Sequence, residues 1–362
     1  MEVACVRVAR EDGERARREL AESDLIDGDY EIVVGDGWLY LPVTDPAAVP
    51  DGHELVTRDV PVRETQTLPA DLLGFEPSYE RLGDVAIVDE DDPERARAVA
   101  DALMASDLPI RTVANKASKV KGEQRVRDWE VLAGESGESA AGDASADAER
   151  DSLEAGSGPR IETVHREYGC EFLLDLAEVY FSPRLATERH RVVEQVRAGE
   201  RAFDMFAGVG PFAIPMAKRG AEVVAVDVNE RAVEYLRENA RRNDVEDRVT
   251  AIVGGVRNVV SGSSADCEGA PDYEGWADRI VMNLPHSADE FLATAVALAG
   301  EECVLHFYDI QTDDDPFGPG ERAIRAAAEP AGYDIDVETE RVVRSYAPHE
   351  SNVCLDVRLS RR

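Results

Sequence analysis

A strand, a glycine loop and a helix start, in that order, constrain this chain more than any other feature. Residues 203–214 read FDMFAGVGPFAI: a short apolar run, Gly208 and Gly210, then an apolar helical turn. A second acid, Asp227, closes the run AEVVAVD. In an open α/β sheet such a loop brings backbone close to a ligand, and an acid ending the next strand accepts from ribose hydroxyls. A dinucleotide fingerprint would need a third glycine at position 213, where Ala213 stands. A phosphate loop would need Gly-Lys-Ser/Thr, which is absent. An acid just before the loop, Asp204, suits a cationic ligand without phosphate better than a pyrophosphate. S-adenosylmethionine fits that description. Its expected contacts are Asp204, Phe206, Gly208, Gly210, Asp227, Val228 and Asn283.

The pattern around this loop predicts an α/β chain. From residue 177 to residue 362 the strands RAFDMFA, AEVVAVD, RVTAIVG, DRIVMNLP and ECVLHFYD alternate with helices, and the strands YDIDVETERVV and SNVCLDVRLS follow. That order predicts a C-terminal class I Rossmann-like methyltransferase domain with seven strands. Two smaller N-terminal α/β domains are expected before it, over residues 1–64 and 70–176. The helix DPERARAVADALMAS is expected to be capped by Asp91, with Pro93 in its first turn. Residues 135–159 are small, acidic and nearly free of large apolar side chains, which predicts a disordered insertion. A second polar insertion is expected at 260–276.

Composition bounds the function. No apolar run approaches the roughly eighteen residues of a membrane span, and charges come too early in MEVACVRVAREDGER for a secretory signal. Five scattered cysteines without a CxxC spacing exclude a disulfide framework and a zinc site, so a reducing cytoplasm and no metal are expected. The net charge of −35, from 75 acidic and 40 basic residues, would ordinarily argue against nucleic acid. The chain holds only four lysines, however, and that pattern points to adaptation to a salt-rich cytoplasm. Local exceptions then report on partners. In residues 111–127 six basic side chains meet one acid, and Lys116, Lys119 and Lys121 stand there as candidate phosphate contacts.

Two further segments carry chemistry. Asn283-Leu284-Pro285 ends the fourth strand of the large domain, where open sheets place their reactions. The spacing equally suits a turn that simply ends a strand. In YFSPRLATERHRV, residues 180–192, Thr187 reads as a helix N-cap followed by Glu188 and Arg189. An ordinary ion pair and a general base at the cleft both fit Glu188.

Together FSPRLATER, FDMFAGVGPF, DRIVMNLP and RSYAP resemble the archaeal and eukaryotic tRNA (guanine-37-N1)-methyltransferase family over residues 1–362, apart from the two acidic insertions. The resemblance implies an enzyme acting on tRNA, with an N-terminal domain on the tRNA elbow; separately from it, a monomer is expected. It implies Glu188 as the base that removes the N1 proton, and a middle-domain arginine that stabilises charge on O6. Arg125 is the first choice for that arginine and Arg127 the second. Asn283 and Pro285 would contact the target base, Arg189 the substrate, and Tyr180 or Phe181 would stack on the extruded base. After the third strand the family usually has Gly-Asp, whereas this chain has Gly254-Gly255. An alternative is the related wybutosine-pathway aminocarboxypropyl transferases, which share fold and cofactor and differ at the Asn-Leu-Pro position. A non-catalytic RNA-binding protein with a vestigial cofactor fold is the other; intact Glu188 and Asn283 argue against it.

Overall fold

The structure, a computed structural model, describes residues 2–50, 52–63, 66–120, 122, 125–134, 161–260 and 273–362. Lys121, the insertion at 135–159 and most of 260–276 lie outside the described residues. The chain divides into two compact units, Met1–Thr67 and Leu68–Arg362.

The first unit holds β1 (Glu2–Ala9), α1 (Gly13–Glu22), β2 (Val33–Gly35), β3 (Trp38–Pro42) and β4 (Glu54–Asp59). The strands form an antiparallel sheet in the order β2-β3-β1-β4. Ala16 and Leu20, one turn apart on α1, bury against Val6 and Leu41. The sequence reading did not find β4. It is an edge strand of mostly exposed residues, so no apolar alternation marks it.

The second unit begins with α2 (Pro69–Leu73), β5 (Tyr79–Leu82), β6 (Val85–Val88), α3 (Pro93–Ala105), β7 (Thr112–Lys116) and β8 (Trp129–Gly134). The sheet order is β5-β6-β7-β8, with β6 and β7 parallel and α3 crossing between them. Val99, Ala100 and Leu103 of α3 pack on Ala86, Val88 and Val113. The cap of α3 is Asp92, not the expected Asp91: its carboxylate accepts from the Glu94 and Arg95 amides. Pro93 occupies the first helical position and fixes the frame, leaving Asp91 one residue too early. The hairpin of β9 (Glu162–Glu167) and β10 (Cys170–Asp175) turns through Tyr168 and Gly169, both at positive φ, as a two-residue turn matched to strand twist requires.

The large sheet follows. After α4 (Ala186–Val193) come β11 (Arg201–Asp204), α5 (Ala213–Lys218), β12 (Glu222–Asp227), α6 (Glu230–Arg242), β13 (Val249–Val253), α7 (Val256–Val260) and β14 (Ala277–Met282). Then come α8 (Leu292–Leu298), β15 (Ala299–Thr312), α9 (Gly318–Ala328), β16 (Tyr333–Ala347) and β17 (Glu350–Arg361). The strands lie in the order β13-β12-β11-β14-β15-β17-β16. The first five are parallel, and β17 runs antiparallel between β15 and β16. This is the seven-stranded α/β arrangement expected from the sequence. Helix α4 starts at Ala186 after a single 3-10 turn, Pro183–Leu185, so Thr187 lies inside the helix and is not its cap. The 3-10 turn already supplies the helical entry one residue earlier.

This topology fixes where chemistry can occur. The parallel strands put Asp204, Asp227 and Asn283 at one edge of the sheet. The long hairpin of β16 and β17 brings a second set to that edge: Ile310, Asn352 and Arg344 stand side by side across β15, β17 and β16.

Candidate active site

A cleft of about 200 Å³ opens at this edge. The glycine loop forms part of its lining. Gly210 has φ +91°, and a Cβ there would come 2.4 Å from Leu236 Cδ1, so neither the backbone nor the space admits a side chain. Gly208 donates its amide to Asp227 Oδ2 at 2.7 Å, and Asn229 donates its amide to Asp227 Oδ1 at 2.9 Å. Burial pushes the Asp227 carboxyl up, and these backbone donors oppose it. Each oxygen keeps a lone pair for a further donor. Phe206, Gly208, Asp227, Val228 and Asn283 line the cleft; Gly210 and Asp204 do not. Asp204 is buried, with one long contact from the Phe206 amide at 3.4 Å and no partner for Oδ2. Burial, with Asp227 adding, pushes its carboxyl up to about 7.

These residues fit an adenosylated sulfonium: an orphaned acid behind the loop, a carboxylate with spare lone pairs, and a loop without side chains. Gly255 lines the cleft where the resemblance implies an acid, and the nearest side-chain atom to its missing Cβ is Asn258 Nδ2, at 3.8 Å.

Another part of the lining suits a flat base. Tyr180 lines it, and the Arg125 guanidinium stands 5.0 Å from the Tyr180 ring centre. Arg125 has φ +56°, a conformation a non-glycine residue adopts at a cost. Arg127 instead stacks on Trp129 and lines a neighbouring polar groove. Phe181 packs inward against His165 and Phe172, which leaves Tyr180 the better placed ring. Pro285 and Asn283 complete the wall, and Asn283 Oδ1 is buried without a partner. His286 Nε2 lies 3.1 Å from the Tyr346 hydroxyl and ties this loop to the β16–β17 hairpin.

Two expected site residues are engaged elsewhere. Arg189 lines the cleft but is buried, its guanidinium donating to Glu167 and to the Ser182 carbonyl, so it braces the segment carrying Tyr180. Glu188 is buried outside the cleft lining. Its carboxylate accepts from Arg191 at 2.7 Å, Arg341 at 2.9 Å and the Tyr308 hydroxyl at 3.0 Å. Arg191 also binds Asp356, which accepts from His306 Nδ1 at 2.6 Å, and His306 Nε2 accepts from Arg279. The arginine donating to one ring nitrogen fixes His306 as the neutral Nδ1–H tautomer. In keeping with this, burial pushes the His306 pKa down.

The basic island is not uniform. Lys116 is paired with Glu80 and Asp89. Lys119 is exposed and has no such partner among the described residues.

The sequence reading assigned no role to Arg344, Tyr346 or Asn352, which all line the cleft. The first two lie within RSYAP. Asn352 was detectable only as a polar residue opening an apolar strand.

Comparison with known proteins follows the same outline. Residues 163–336 match the TRM5/TYW2 methyltransferase domain, residues 5–51 the tRNA methyltransferase 5 N-terminal domain, and residues 65–137 the TYW2 N-terminal domain. The tRNA (guanine(37)-N(1))-methyltransferase Trm5b of Pyrococcus abyssi is 35% identical, over 98% of this chain and 98% of that protein. The tRNA(Phe) (4-demethylwyosine(37)-C(7)) aminocarboxypropyltransferase of Pyrococcus horikoshii is 30% identical, over 85% of this chain and 95% of its own. The structure of aTrm5 in complex with tRNALeu superposes with a TM-score of 0.67 at 28% identity, covering 98% of this chain and 99% of that one.

Proposed function

The chain belongs to the tRNA (guanine-37-N1)-methyltransferase family, and on that premise we propose that its cleft methylates N1 of guanine-37 in tRNA with S-adenosylmethionine as cofactor. The observation that carries the reading is the pairing of two unlike sets of residues in one cleft. One is a side-chain-free loop tied to Asp227; the other is a Tyr180–Arg125 platform beside the unpartnered oxygen of Asn283. When bound, S-adenosylmethionine supplies a sulfonium methyl, whose bond to sulfur breaks as the bond to N1 forms.

The chain's own residues do the rest. Asp227 holds the ribose hydroxyls and the glycine loop admits the cofactor closely. Tyr180 stacks on a base drawn out of the anticodon loop. N1 of guanine carries a proton at neutral pH, so the nitrogen becomes nucleophilic only as that proton leaves. Glu188 is the acceptor in this reading. Its partner Arg341 is partly exposed and can swing away to open one lone pair of Oε2, which still accepts from Arg191 Nε at 3.0 Å, while Arg191 and Tyr308 keep the carboxylate oriented. Negative charge moves to O6, where Arg125 in the cleft lining offers a guanidinium. Arg127 and Lys119 meet tRNA phosphates, the N-terminal unit meets the tRNA elbow, and the enzyme works as a monomer in a salt-rich cytoplasm. No helix among the described residues is long and apolar enough to cross a membrane.

The test is nucleoside mass spectrometry of unmodified tRNA incubated with protein and cofactor. Appearance of 1-methylguanosine at position 37 is the expected result. An aminocarboxypropyl adduct, or no modification, would overturn it.

A further inference from the structure

Four buried side-chain polar atoms among the described residues have no hydrogen-bond partner, and three of them line this cleft: Asn283 Oδ1, Arg344 Nε and Asn352 Oδ1. Leaving such atoms dry and unpaired is costly, so a cluster of them marks a surface kept for a ligand. Arg344 and Asn352 are directly opposed in the β16–β17 pairing. Opposed residues share a face, with Cβ atoms about 4.5–5.5 Å apart. Ile310, opposed to Asn352 on its other side, closes the row with an apolar neighbour.

The charge pattern singles out Arg344. In a chain of net charge −35 carboxylates are abundant. Arg341 and Arg189 each hold one, and Arg191 holds two. Arg344 is half-buried and has no carboxylate, carbonyl or ring partner among the described residues. Asn352 is only 3% exposed. A guanidinium can only donate, and an unpartnered amide oxygen can only accept. The pair therefore fits an edge that carries an acceptor and a donor at about the spacing of two opposed side chains.

Guanine offers that edge. O6 lies on one side of N1 and the 2-amino group on the other. Building on the methyl-transfer reading, we propose that Arg344 and Asn352 are the guanine-reading pair of the cleft. Asn352 Oδ1 accepts from the 2-amino group, Arg344 Nε donates to O6, and N1 is held between them. Adenine would set its 6-amino donor against a group that can only donate, so it is refused. Arg344 also meets the charge that develops on O6, together with Arg125 of the same cleft.

The test compares tRNA carrying guanosine or inosine at position 37, because inosine lacks only the 2-amino group. The wild-type protein should favour guanosine about tenfold or more in kcat/KM, the worth of one well-made hydrogen bond, and should bind the guanosine anticodon stem-loop more tightly. Asn352→Ala should bring guanosine down to the inosine level and leave inosine nearly unchanged, closing the gap. Arg344→Ala should slow methyl transfer on both by about 10²-fold, Arg344→Lys should recover part of it, and both should keep wild-type cofactor affinity by calorimetry. Equal treatment of the two tRNAs by the wild type, an undiminished preference in Asn352→Ala, or an Arg344→Ala rate close to wild type would each overturn the pair. Absence of any methylation of guanosine-37 would instead overturn the methyl-transfer reading, and this proposal with it.

Discussion

Asp204 is an acid kept dry with one weak donor, and that sets a cost the empty protein must carry. Burial raises its carboxyl from 3.8 to about 7. A folded pKa above the unfolded one gives a contribution that is fully present below about pH 4 and is lost as pH rises through 7. Asp204→Asn cannot ionise, so the variant should melt higher than wild type at pH 8, by the equivalent of a few kcal/mol, with the gap narrowing at pH 5. Cofactor affinity should fall in the same variant. Thermal scans at both pH values check it, and a gap independent of pH would show that Asp204 does not titrate there. Glu188 poses a different problem, because it serves three donors before it can serve a substrate. Glu188→Gln should slow the chemical step by roughly 10²–10⁴-fold in single-turnover assays, whereas Arg341→Ala should stay within a few-fold of wild type. If Arg341→Ala loses as much as Glu188→Gln, Arg341 is part of the chemistry and not a removable latch. The loop and Asp227 were legible in the sequence because backbone geometry dictates glycine and strand-end acid at fixed spacing. The surroundings of Glu188 were not, since Tyr308 lies 120 residues away and Asp356 arrives on the last strand.

At the level of elements, buried surface alone did not decide what the sequence showed: the largely exposed β16 was plain in YDIDVETERVV, whereas β7, buried from Val113 to Asn115, was hidden in the basic segment. β12, buried along most of its length, was plain in AEVVAVD; β8, made of half-exposed residues beside the acidic insertion, was missed. Helix caps fall between these cases. Asp91 and Asp92 both precede Pro93, and only the fold shows which carboxylate reaches the amides. Asp92→Ala should cost about 1 kcal/mol in urea unfolding, while Asp91→Ala should cost nearly nothing; equal losses would contradict the observed cap. The terminal hairpin is fastened to α4 by Asp356, which accepts from Arg191 at 2.5 Å, His306 at 2.6 Å and Gln195 at 3.2 Å. Burial alone would raise this carboxyl, but His306 and Arg191 hold it far below the usual range. The depressed folded pKa gives stability that is present above the unfolded value near 3.8 and lost as pH falls below it. Asp356→Asn removes the charge that Arg191 and the His306 Nδ1–H face and should cost about 3–5 kcal/mol at pH 7, with a smaller gap at pH 3. Denaturant titrations at the two pH values check this. A gap that is no smaller at pH 3 would place the defect in packing and not in the charge.

Over the whole molecule, the charge of −35 opposes the approach of a polyanion, so tRNA binding depends on which cations are locally free. Salt shortens the reach of the global field to a few ångströms at molar concentration, and direct contacts then dominate. The basic island looked uniform as sequence because composition does not show pairing. In the fold, Lys116 is already held by Glu80 and Asp89, whereas Arg127 rests on the Trp129 ring and Lys119 is exposed. A cation that already holds carboxylates frees few counterions when a phosphate arrives, and an unpaired one frees nearly its full share. Affinity for tRNA measured across a KCl series should therefore show a slope of log K against log salt that is shallower by roughly 0.7–0.9 in Arg127→Ala and in Lys119→Ala. Lys116→Ala should leave the slope close to wild type. Should Lys116→Ala flatten the slope as much as Arg127→Ala, Glu80 and Asp89 must give Lys116 up to phosphate. Local pairing in the free protein would then no longer say which cations bind.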